Sequence, residues 1–242
     1  MEGTTEPILV VIGNPVAGNP AQFALERALR ALELDWRVLS FDVVPDDVGA
    51  AVQGFAVTGI VGVLVARELA ENAGSWNINR DEKSTKTIDC FYRDDENQFV
   101  GEDLTLAWLQ TQIDKFKEGR RIWIGGEESN PQINSESFEN FSTSSEELTE
   151  AVSQASVIIM NPKDSGSLDV DLDDWPENDG QTLIISPEVQ PEMISKLREL
   201  GYLVIGQEEL RVGSLQNCIT RWTGQTPLDD VLIDAIEEYL SV

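Results

Sequence analysis

The chain has 242 residues, with 17 basic against 44 acidic side chains and no histidine, a formal net charge of −27. Such a charge excludes a surface that coats DNA or RNA, because phosphate chains are bound through clustered Lys and Arg. The absence of His excludes Ser-His and Cys-His nucleophilic catalysis. At 41% hydrophobic residues the chain can build one large core or two small ones, which argues against wholesale disorder.

Met1 to Pro7 carries Glu2 and Glu6 but no basic run, and the longest apolar stretch, Gly59 to Ala66, is eight residues, so neither a secretion signal nor a membrane span is expected. Ile8 to Ile12 is a continuous apolar run bounded by Gly13, Asn14 and Pro15, which predicts a buried parallel strand. Asn19 is placed to cap a helix whose first position is Pro20 and whose stripe is Leu25, Leu29 and Leu32. Arg37 to Phe41 reads as a second strand. Pro45 and Asp46 open a short helix ending near Gly54, and Ile60 to Val65 is a third strand. Ala66 to Ala73 reads as helix, Asn77 to Lys86 as a polar loop, Thr87 to Arg93 as an edge strand and Asp94 to Asn97 as a turn. From Asp103 a helical pattern runs through Leu106, Leu109 and Ile113 to Lys117 and bridges to the second half of the chain.

A second set begins with a strand at Arg121 to Ile124 ending in Gly125 and Gly126, followed by strands at Val157 to Met160, Thr182 to Ser186 and Tyr202 to Ile205. Helices are expected at Ser145 to Gln154, Pro191 to Leu200 and Glu208 to Trp222. Thr226 reads as the cap of a last helix with Pro227 at its first position and Leu228, Val231, Leu232, Ala235 and Ile236 on one docking face. This alternation predicts an α/β protein with mainly parallel sheets. Glu127 to Ser145 is polar and rich in Ser, Asn and Glu, with Phe138 and Phe141 embedded. The acidic run from Asp169 to Asp174 lacks the turn Gly of a calcium loop and reads as solvated surface, so no metal is expected. Cys90 and Cys218 have no His with which to form a common zinc site and read as core thiols in a reducing cytoplasm.

Three stretches, in order, resemble the shikimate dehydrogenase family. VIGNPVAGNP is similar to the family's I-G-x-P-I opening and the H-S-x-S-P loop after it. GIVGVLVARE resembles G-x-N-V-T-x-P-x-K, with Gly101 to Asp103 resembling G-x-N-T-D. ELRVGSLQNCITRWTGQTP resembles M-L-x-x-Q followed by F-x-x-W-T-G, with Trp222, Thr223 and Gly224 intact. The resemblance implies a substrate-type α/β domain over residues 1–102, completed by a C-terminal helix over 226–242, and a shortened Rossmann-like domain over 103–225. It also implies reduction of 3-dehydroshikimate with NADPH in a cleft between the domains, a Lys and an Asp holding the reacting oxygen.

Carried over residue by residue, the family's Asp falls on Asp103 and its Lys on Arg67, whose guanidinium can polarise a carbonyl or grip an anion but cannot serve as a base. The substrate loop reads Gly18, Asn19, Pro20 without its serines, and Ser214 stands at the family's Gln. Gly125 and Gly126 stand at the cofactor turn, followed by Glu127 and Glu128. Like charges near 4 Å repel by about 4 kcal/mol at an effective dielectric of about 20. Only 30 residues lie between Gly126 and Val157 and must also hold a helix, whereas a dinucleotide βαβ unit takes about 30 on its own. The phosphate-facing helix and the ribose strand are therefore expected to be missing.

The leading expectation is a degenerate, shikimate 5-dehydrogenase-like protein without a cofactor. It would hold at most a small carboxylate through Arg67 and partner neither nucleic acid nor membrane; its oligomeric state stays open. The alternative is an active NADP-dependent shikimate dehydrogenase with an unusual pocket. A third is a different enzyme using Asp103 as acid or base.

Overall fold

The computed structural model describes residues 6–75, 86–116, 118–125, 137–145, 147–161 and 170–241. The first strand, β1 (Ile8–Gly13), is apolar on both faces because both are covered, and four of its side chains are fully buried. It lies at the middle of a parallel trio with β2 (Arg37–Asp42) and β3 (Ile60–Val65). The crossovers are α1 (Ala21–Ala31) and α2 (Val48–Ala56), the latter entered through a 3-10 turn at Pro45–Asp47. Asn19 Oδ1 accepts the Ala21 N–H at 2.9 Å, so the expected cap is made. After β3 come a 3-10 turn at Arg67–Leu69 and α3 (Ala70–Ser75).

The sheet is then extended by an antiparallel hairpin, β4 (Cys90–Arg93) and β5 (Phe99–Glu102), in the order β2-β1-β3-β4-β5. This corrects the reading of residues 87–93 as an edge strand. β4 is interior, and the edge is β5, whose four residues after the Asp94–Asn97 turn are too few to show a period. The expected loop at 77–86 lies outside the described residues except for Lys86.

Following α4 (Leu104–Ile113), a second five-stranded sheet is parallel throughout, in the order β10-β9-β8-β6-β7. Its strands are β6 (Arg120–Gly125), β7 (Glu139–Phe141), β8 (Ala155–Asn161), β9 (Leu183–Ile185) and β10 (Leu203–Ile205). Helices α5 (Leu148–Ser153), α6 (Pro191–Glu199) and α7 (Gln207–Thr223) match the expected pattern. One face buries Ile122, Ile158 and Ile184 with Leu197, and the other buries Trp123, Val157 and Ile159 with Ile113.

Two expectations fail here. A strand does stand beside β6: Glu139 to Phe141 pair with Ile122 to Ile124, and Phe138 is buried edge-on against Trp123. The two phenylalanines anchor what composition presents as a polar loop. The last helix, α8 (Asp229–Leu240), begins beyond Pro227, because Leu228 is extended and the Pro227 carbonyl accepts Gln216 Nε2 at 3.0 Å.

The chain forms two compact units, Met1–Thr105 with Val212–Val242, and Leu106–Arg211. Residues 212–225, expected in the second domain, belong to the first. Their packing explains why: Trp222 Nε1 donates to the Phe91 carbonyl at 3.0 Å, over Gly62, where a Cβ would lie 2.1 Å from that nitrogen. The α8 stripe docks on α1, with Arg27 and Glu238 paired at 2.5 Å. Among the described residues no helix is long and apolar enough to cross a membrane.

Candidate functional site

In open α/β sheets ligands collect at the carboxyl ends of parallel strands, where the strand order reverses. In the first unit that point lies between β1 and β3. Because β4 runs antiparallel to β3, and β5 to β4, the start of β4 and the end of β5 lie at the same edge of the sheet. Four sequence-predicted residues reach this edge: Asn19 in the loop after β1, Arg67 just beyond β3, Asp103 just beyond β5, and Ser214 on α7. Arg67 is exposed; Asp103 is buried.

The loop after β1 is held by the chain's own carboxylates. Asn14 N–H donates to Glu68 Oε1 at 3.0 Å and Val16 N–H to Asp42 Oδ1 at 2.6 Å. Two amides that could have held an external anion are engaged internally.

Next to it is a cluster that sequence reading missed. The hairpin register pairs Cys90 with Glu102, so one step further Asp89 comes opposite Asp103, and each is only 8% exposed. Asp89 accepts the Leu104 N–H at 2.7 Å and the Thr105 N–H at 2.8 Å, capping α4 from a separate segment, and also accepts the Thr105 hydroxyl. Thr105 Oγ1 stands 2.7 Å from Ser214 Oγ, and the Thr87 hydroxyl donates to Asp103. Burial first, and the Asp103 charge second, push the Asp89 carboxyl up to about 6, against the lowering effect of its donors. A carboxyl poised there and joined to two hydroxyls can accept or deliver a proton near neutral pH. For Thr105, though not for Asp89, a signal stands in the sequence. Read without a gap from Gly101, the G-x-N-T-D pattern puts Thr105, not Asp103, under its final Asp.

In the second unit the strand order reverses between β6 and β8. Gly125 has φ +129°, and a Cβ there would lie 1.9 Å from the Asn161 carbonyl oxygen. Contact between strand ends therefore requires this glycine by itself. Gly126, Glu127 and Glu128 lie outside the described residues.

No protein-family model and no curated protein sequence matches the chain. Solved structures do. The ligand-free 5-ketofructose reductase of Gluconobacter sp. strain CHM43 superposes with a TM-score of 0.75 at 13% identity, over 98% of this chain and 99% of that one. Shikimate 5-dehydrogenase from Thermus thermophilus, in complex with NADP(H) and shikimate, gives 0.71 at 13%, over 96% and 99%. The Listeria monocytogenes enzyme, in complex with shikimate and NAD, gives 0.71 at 13%, over 99% of each chain. The chain has the shikimate dehydrogenase-like fold. Both of its units are α/β, each built on a five-stranded sheet.

The dinucleotide named for two of these neighbours does not suit the residues present. A shikimate dehydrogenase-like fold would seat its phosphates after β6 and its ribose after β7. From Ile122 to Pro162 this chain has no Lys or Arg, and it carries seven glutamates. Glu139 on β7 is paired with Arg120 at 2.6 Å, at the opposite end of β6 from Gly125. After β7 come Ser142, Thr143, Ser144 and Ser145, followed by Glu146 and Glu147, with no Arg that would hold a 2′-phosphate.

Proposed function

We propose that the chain is a relative of the shikimate dehydrogenase-like oxidoreductases that works without a dinucleotide and serves as a binding protein for a small carboxylate. The observation that carries this reading is the 41-residue stretch 122–162, acidic and without a single cation, where phosphates would have to be neutralised. A redox role needs that cofactor; a binding role needs only the first unit. There Arg67 supplies a fork suited to a carboxylate, and the Ser214 hydroxyl supplies a polar partner at the same sheet edge.

Calorimetric titration with NADPH and with NADH tests the first half: no binding heat is expected, and a micromolar Kd for either overturns it. A thermal-shift screen tests the second half with shikimate-like acids against neutral ketoses, the two substrate types named among the structural neighbours. Stabilisation by acids alone, abolished by Arg67→Ala, is expected. Stabilisation by neither class removes the small-ligand role.

A second reading, an active NADP-dependent dehydrogenase with an unusual pocket, draws on β7. The strand that would carry a ribose is in its place beside β6. Micromolar NADPH binding would select it.

A further inference from the structure

The loop that leaves β1 opens beside the turn that leaves β3. Just past the Ile12–Val65 pair, the Ala66 N–H donates to the Ile12 carbonyl at 2.8 Å, so Asn14 and Arg67 leave the sheet side by side. Leu69 is fully buried, and its N–H donates to the Ala66 carbonyl at 2.9 Å. That anchors the 3-10 turn and leaves Arg67 and Glu68 exposed at the sheet edge. Gly13 leaves room for Glu68 to reach back: a Cβ there would lie 3.2 Å from Glu68 Oε1 and 3.4 Å from the Ala66 Cβ. Through that space Glu68 Oε1 accepts the Asn14 N–H at 3.0 Å.

Burial does not oblige this bond. Asn14 is exposed, so water can satisfy its N–H, and holding a Glu side chain in one rotamer costs entropy. A carboxylate gripped by Arg67 meets Glu68 one residue along the chain, with the same charge and the same need for a donor.

We propose that Glu68 is a built-in competitor of the ligand: its carboxylate holds the Asn14 N–H in the unliganded chain and yields that donor to a small acid gripped by Arg67. This rests on the reading of the first unit as a small-acid site, and it adds the donor the acid takes and the residue that sets its affinity. Val16 N–H stays tied to Asp42 Oδ1 at 2.6 Å, so the loop keeps its place when Glu68 swings into water. One carboxylate replaces another on a single N–H, so the acid gains little from that bond while Glu68 is present, and the two like charges repel. A neutral ligand has no carboxylate to offer and leaves Glu68 where it is.

Amide NMR of the full chain follows Asn14 during titration with acetate, the simplest probe of the donor, and with shikimate. Glu68→Ala frees the N–H; Glu68→Gln keeps an acceptor on it and drops the charge. Both are expected to keep the wild-type circular dichroism, because the side chain is exposed. In Glu68→Ala both acids are expected to shift the Asn14 amide, and shikimate to bind about tenfold tighter than to wild type, the worth of one charge-assisted hydrogen bond. Glu68→Gln is expected to fall between the two, and adding Arg67→Ala to Glu68→Ala to abolish the gain. An acetate-induced Asn14 shift in Glu68→Ala without shikimate binding to any variant would support the competitor and remove the small-acid reading. Shikimate binding to wild type through Arg67, but no tighter to Glu68→Ala or Glu68→Gln, would leave that reading and overturn the competitor. So would an Asn14 amide that neither acid moves in Glu68→Ala.

Discussion

Replacing Asp89 by Asn should remove a specific part of the pH dependence of stability. The Asp89 carboxyl is raised to about 6 in the folded chain, from an ordinary value of 3.8, mainly because it is buried. A raised acid binds its proton more tightly when folded. Its stabilising contribution is therefore complete below about 3.8 and is lost as pH rises through about 6. A shift of this size corresponds to about 3 kcal/mol in full, of which about 1.3 kcal/mol separates pH 5 from pH 7. Asn keeps one acceptor for the Leu104 and Thr105 amides, so the lost hydrogen bond costs the variant about 1 kcal/mol, a contribution that does not depend on pH. That loss cancels when the pH 5 to pH 7 difference is compared between the two proteins. Urea unfolding at both pH values, with hydrogen exchange of the Leu104 and Thr105 amides as the local readout, should show the wild type gaining about 1.3 kcal/mol more than Asp89→Asn on acidification. Equal gains, or a larger gain in the variant, would refute the assignment of a neutralised carboxyl at this helix start.

Two further outcomes rest on the packing. Gly125→Ala puts a Cβ 1.9 Å from the Asn161 carbonyl oxygen at φ +129°. It should destabilise the second unit by at least about 2 kcal/mol in urea, and a loss under about 0.5 kcal/mol would show that strand contact does not require the glycine. Cys90 and Cys218 are fully buried, and burial pushes both thiols up. Neither should react with a thiol reagent in the native chain, and both should react in denaturant; rapid native labelling would contradict the packing.

The strands that sequence located well, such as 8–13, 60–65 and 155–161, are those buried on both faces, where apolar character is continuous and long enough to read. Those it missed are short. Phe99–Glu102 and Glu139–Phe141 have four and three residues, and they become strands by pairing with a neighbour already in place. The same distinction divides the site. Arg67, Asp103 and Ser214 could be found by motif, but Asp89 becomes significant only because the hairpin register sets it opposite Asp103 and α4 starts beneath it.

Composition alone determined that residues 122–162 hold seven glutamates and neither Lys nor Arg, which no folding alters. Tertiary structure alone decided that Glu68 and Asp42 occupy the loop amides, that residues 212–225 complete the first unit, and that one carboxyl of the buried pair is raised. Charge and apolar content belong to the residues themselves and can be counted along the chain. Desolvation and hydrogen-bond partnership depend on which distant segments come together, and only the folded chain specifies that.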